Sequence, residues 1–150
     1  MANDIVKELI DGLETVIAAQ TGFIKLDYVF EISKNKLNRN YNRFGVRANG
    51  FTTENLIVNH MVLDQEFEII LMDRFVNKQG QDTAQQDAVN ALFEKLFDAV
   101  DHIFLTKAGK PALVMSVDRI STDSPEFIET ENLVLIRSRL NIKYRKPVNL

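Results

Sequence analysis

Between Ile5 and Ile32 the apolar residues change their spacing from one every three or four positions to one every two, and the change falls at Gly22. Ile5, Leu9, Ile10, Leu13, Val16 and Ile17 form one face of a helix predicted over about residues 3–19, with Asp4, Lys7, Glu8, Asp11 and Glu14 opposite. Ile24, Leu26, Tyr28, Phe30 and Ile32 then alternate with Lys25, Asp27, Val29 and Glu31, the period of a half-buried strand. A one-faced helix followed directly by a one-faced strand leaves two apolar faces that must cover each other. Layers of helix on sheet are the solution open to such a chain.

The same reading extends along the chain. Thr83-Ala84-Gln85-Gln86 has the form of a capping box, and Val89, Leu92, Phe93, Leu96, Phe97, Val100, Ile103 and Phe104 continue it as an apolar helical stripe closed by Gly109 and Pro111. Strands are predicted over about Ala112–Ile120 and Asn132–Tyr144, with a turn at Asp123-Ser124-Pro125. Ile57, Met61, Leu63, Phe67, Ile69 and Leu71 share one parity, with Asp64, Glu66 and Glu68 on the other. An unbroken strand of about 17 residues would span about 55 Å, so part of it is expected to project. From about 33 to 55 neither period holds, and Lys34, Lys36, Arg39, Arg43 and Arg47 meet no acid before Glu54, so a projecting basic arm or long loop is expected there. The fold class is α+β: two helices on one face of a mostly antiparallel sheet of about four to five strands, in a single domain over 1–150.

Few reactive constellations are in view. With 150 residues and no Cys, the chain offers no thiolate nucleophile and no Cys-ligated zinc. The charged residues near Met1 rule out the apolar core of a secretory signal, and no run approaches the roughly 18 apolar residues of a membrane span. Gly45-Val46-Arg47-Ala48-Asn49-Gly50-Phe51-Thr52 resembles a phosphate loop but lacks the Lys-Ser/Thr pair that would hold phosphate and magnesium. Asp64, Glu66 and Glu68 could present oxygen ligands to a divalent ion, as in a metal-dependent nuclease, but a solvent-facing or subunit-facing strand surface explains the row more simply. His60 and His102 read as surface or interface residues. No catalytic residue, cofactor or metal is expected.

The charge distribution is more informative than the net charge of −3. Arg137, Arg139, Lys143, Arg145 and Lys146 follow the last acid, Glu131, while Asp64, Glu66 and Glu68 supply the opposite sign on another strand. Separate complementary patches favour head-to-tail contacts between identical subunits, and two independently solvated charged faces are the plainer alternative. Binding of a DNA backbone by the arm and the basic strand is a further alternative.

Tyr41–Arg47, Leu63–Leu71, Ser124–Ile128 and Leu140–Arg145 resemble segments of the small tail-completion proteins of long-tailed bacteriophages, nearest to the tail terminators, similar in role to minor tail protein U of lambdoid phages. The resemblance implies a structural virion protein without cofactor or active site. It implies a ring, commonly of six subunits, that caps the tail tube, stops its polymerisation and meets the head connector, with DNA passing through the pore unbound. It implies the partners too: the chain itself, the tube protein and connector or neck proteins, in the virion and in the host cytoplasm during assembly. Regions alone carry over as subunit or tube interface: the arm around Arg43, Phe44 and Arg47, and the strand face of Arg137, Arg139 and Lys143, set against Asp64, Glu66 and Glu68. A head-completion or neck protein is the nearest alternative.

Overall fold

The computed structural model describes residues 4–26, 42–57, 60–74, 83–128 and 132–147. In chain order these form α1 (Ile5–Thr21), β1 (Ile24–Lys25), β2 (Arg43–Ile57), β3 (His60–Arg74), α2 (Thr83–Thr106), β4 (Val114–Thr122), β5 (Glu126–Ile128) and β6 (Leu133–Pro147). The sheet order is β1-β2-β3-β6-β4, with β5 also paired to β6. Among the described strands only β1 and β2 run parallel. The fold is therefore α+β with a mostly antiparallel sheet, and the six strands among the described residues already exceed the expected four to five because β5 and β2 carry little alternation.

Local chemistry sets the helix ends. Asp4 caps α1 by accepting from the Lys7 amide at 3.1 Å, and Gly22, with φ of 72°, closes it by donating its own amide to Ala18 O at 2.9 Å. Leu9, Leu13 and Ile17 of α1 and Leu92, Leu96, Ala99, Val100 and Ile103 of α2 are buried in one core with Phe44, Val46, Phe67, Ile69, Leu71, Val134, Ile136 and Leu140 from the sheet. Both helices therefore cover the same face. The predicted α2 stripe is buried only in part: Phe97 and Phe104 stand on the exposed flank of the helix. On the opposite face, Ile70, Met72, Leu133 and Leu135 make a second, smaller buried cluster with Ile128 packed against it.

Three strands of 15 residues, β2, β3 and β6, form the centre of the molecule, each spanning about 50 Å. The register shows why they need not project. β6 accompanies β3 from end to end, Pro147 facing His60 and Leu133 facing Arg74. Of the irregular arm expected at about 33–55, the part from Arg43 onward is β2, paired with β3 as far as Ile57 opposite His60; residues 33–41 lie outside the described residues. The alternation of β2 is hidden because its register shifts twice, between Ala48 and Phe51 and between Thr53 and Asn55. Each shift moves later side chains to the other face, so no period-two run survives long enough to be read. At β1 the alternation also fails, since Phe23 and Leu26 are buried while Ile24 is exposed at the sheet edge.

Candidate functional site

The β2–β3–β6 register decides where the candidate residues go. Arg47 of β2, Asp64, Glu66 and Glu68 of β3, and Arg137, Arg139 and Lys143 of β6 all share the face turned away from the helices. Arg47 pairs across to Glu68 and Glu68 to Arg139, while Asp64 faces Lys143. Glu68 is only 4% exposed, and its carboxylate meets the Arg47 guanidinium on one side and Arg137 at 3.8 Å on the other. Arg137 also holds Glu126 at 2.9 Å, and Arg139 holds Asp123 at 2.5 Å and the Ser121 hydroxyl at 3.2 Å. Asn49 Nδ2 donates to Glu66 at 2.9 Å.

This arrangement corrects the expectation of segregated charge. The acidic row lies between two basic strands on one face, so the opposite signs meet inside one subunit rather than across two. A carboxylate this buried is held in place by the Arg47 guanidinium against it and by the longer-range attraction of Arg137. Phe44, expected at an interface, is 1% exposed and belongs to the core under α1. Arg43 stands in register with Met72, beside the smaller apolar cluster, and its Nε has no hydrogen-bond partner among the described residues.

The rest of the candidate chemistry separates. The phosphate-loop lookalike Gly45–Thr52 is extended strand, which does not form an anion-binding turn. Asp64, Glu66 and Asn141 line a shallow hollow of about 390 Å³ with Gly50, Phe51 and Thr52. Lys143 stands in register with Asp64 on the neighbouring strand, and Glu68 lies between its two arginines. Among the described residues, no three His, Cys, Asp or Glu side chains gather to hold a metal ion. His60 is exposed, and His102 Nδ1 lies 3.0 Å from Asp98 O on its own helix. Gln65, which interrupts the apolar parity of β3, is explained by Tyr144: the phenol donates to Gln65 Oε1 at 2.7 Å, and burial pushes its pKa above the ordinary 10.0.

Ile24 and Met115 are exposed at the β1 and β4 edges, which the sequence reading did not pick out, while Phe51, Phe97, Phe104 and Phe127 are exposed on β2, α2 and β5. Along the β1 edge, a groove of about 480 Å³ runs between α1 and the strand, floored by Ala18, Phe23, Ile24 and Phe44 and walled by Asp11, Glu14 and Lys25. Ile24 is 59% exposed there, and Lys25 Nζ reaches Glu14 at 3.0 Å. Along the β4 edge, Lys107, Leu113, Val114, Met115 and Arg145 line a second hollow of about 290 Å³, and Met115 is 39% exposed. Leu105, 80% exposed, precedes this hollow at the end of α2. No protein-family model matches the chain, and no curated protein matches it.

Proposed function

We propose that this chain is a tail terminator of a long-tailed bacteriophage, a structural subunit whose ring caps the tail tube, stops its polymerisation and joins it to the head connector. The observation that carries the reading is where the resembling segments lie. Arg43–Arg47 is in β2, Leu63–Leu71 in β3 and Leu140–Arg145 in β6, three adjacent strands, while Ser124–Ile128 leads into and through β5, which also pairs with β6. Segments far apart in sequence thus meet in one sheet, which supports a likeness of whole architecture over four chance matches.

The physical character of the sheet fits this work. A terminator makes and breaks no bonds, and it needs a stiff body that presents defined edges to its neighbours. Three 15-residue strands with a helical layer on one face supply such a body. DNA has to pass through the pore without being captured. Guanidinium groups already bonded to carboxylates release fewer counterions to a DNA backbone than free ones would, which favours passage. The partners are further copies of the chain, the tube protein and the connector, in the virion and, before that, in the host cytoplasm.

Assembly tests the reading. Phage lysates lacking this protein should contain overlong tails, unattached to heads, by negative-stain electron microscopy, and the wild-type protein supplied in trans should restore tails of uniform length. Normal tails joined to heads in the null lysate would overturn it. Tails of normal length beside unstable filled heads would identify a head-completion protein instead.

A further inference from the structure

We propose that a second copy of this chain occupies the α1/β1 groove, and that it does so with its β4 edge, so that subunits join head to tail. The inference deepens the reading of the chain as a ring subunit and rests on it by naming the contact such a ring would use.

The argument begins with position. Among the described residues, β1 and β4 end the sheet on opposite sides. A contact between two different surfaces of identical subunits is heterologous, and it repeats until it closes a ring or extends as a filament. A contact made at one edge alone would stop at a dimer.

Shape and charge then match the two edges. The β1 groove is open and apolar at its floor, with Ile24 exposed, and its wall carries Asp11 and Glu14, only the latter bonded to Lys25. The β4 edge offers the exposed, apolar Met115 beside Lys107 and Arg145, and Leu105 is exposed two residues before Lys107 in the chain. An apolar floor with Asp11 on its wall thus faces, in the next copy, the exposed Met115 flanked by Lys107 and Arg145. Such complementarity fixes orientation and disfavours the like-with-like pairing of two β1 edges or two β4 edges. The edges meet through side chains, not by adding strand to strand. β4 is irregular at Val114/Ser116 and at Arg119/Ser121, which suits an edge protected against backbone pairing.

The absence of Cys makes the contact directly testable in the full-length chain. Ile24 and Met115 lie on strands four intervals apart, at least about 19 Å at roughly 4.8 Å per interval, and are offset along the strands as well, well beyond the reach of a disulfide within one chain. Both are exposed, so Ile24→Cys and Met115→Cys leave the core intact. Under mild oxidation the double variant should give a ladder of covalent oligomers ending in one closed species on non-reducing gels, and each single variant should stop at traces of dimer. In parallel, Asp11→Lys and Lys107→Glu should each weaken self-association about tenfold by sedimentation analysis, and mixing the two variants should recover part of the loss. A wild type that oligomerises while the double variant gives no ladder would overturn this contact and leave the ring reading standing. A wild type that stays monomeric at every concentration, with no ladder, would overturn both.

Discussion

Glu68 shows how far one residue can govern a face. Its carboxylate lies almost fully out of water between Arg47 and Arg137, and Arg137 is bonded onward to Glu126. Removing it leaves two guanidinium groups facing each other over a partly buried gap. Glu68→Ala should therefore cost about 3 kcal/mol in urea denaturation, while Arg137→Ala, whose side chain is 21% exposed, should cost about 1 kcal/mol. Equal small losses would mean the ladder is ordinary surface charge. Tyr144 acts through a neutral bond. Tyr144→Phe leaves Gln65 Oε1 without its donor inside the core, a loss of about 1 kcal/mol. Its pH dependence has a definite sign. Burial raises the folded-state pKa above 10.0, so the stability Tyr144 contributes is whole below pH 10.0 and falls as pH rises through the higher folded value. Stability measured from pH 9 upward should drop less steeply in the Phe variant than in the wild type.

At the scale of elements, the two helices meet at a point where a side chain does not fit. Lys107, Ala108 and Gly109 take successive φ values of 52°, 57° and 70°, a left-handed turn that brings the chain off α2 and against α1 at Gly12. A Cβ on Gly12 would fall on the Ala108 carbonyl oxygen, within van der Waals distance of backbone that the turn holds in place. Helix propensity alone gives Gly12→Ala a gain of about 1 kcal/mol, but the clash should reverse the sign and leave a net loss of about 2 kcal/mol, read as a lower urea midpoint. A stabilised variant would show that the turn yields. That close approach has no counterpart in the local spacing of the sequence, where Gly12 is one more small residue in a helix. The helices, β3 and β6 were legible because each keeps one period over its length. β2 was not, because two register shifts divide its alternation and Arg47 reads as part of a projecting basic arm until β3 supplies Glu68 beside it.

For the whole molecule, the decisive information is strand order, which periodicity does not encode. The signs of Asp64, Glu66, Glu68, Arg137, Arg139 and Lys143 were plain in the sequence, and so was their common placement on one strand face each. That these faces are neighbours, and that the charges cancel within one subunit, follows only from β6 lying against β3. The same ordering makes β1 and β4 the edges, and so turns Ile24 and Met115 from unremarkable apolar residues into candidate contacts. One consequence separates passage of DNA from capture. A free basic strand would neutralise several phosphates and lose affinity steeply with salt, with log K falling by about 0.9 per log unit of salt for each phosphate neutralised. With Arg47, Arg137 and Arg139 already bonded to acids, the protein should show no retention of duplex DNA at about 150 mM salt, in a gel-shift assay. Glu68→Gln with Glu126→Gln should then raise low-salt DNA affinity by freeing Arg47 and Arg137, and the gain should vanish as salt is added. Tight wild-type binding with a slope of several units would mean that the arginines leave their carboxylates for phosphate, and that the open face grips DNA.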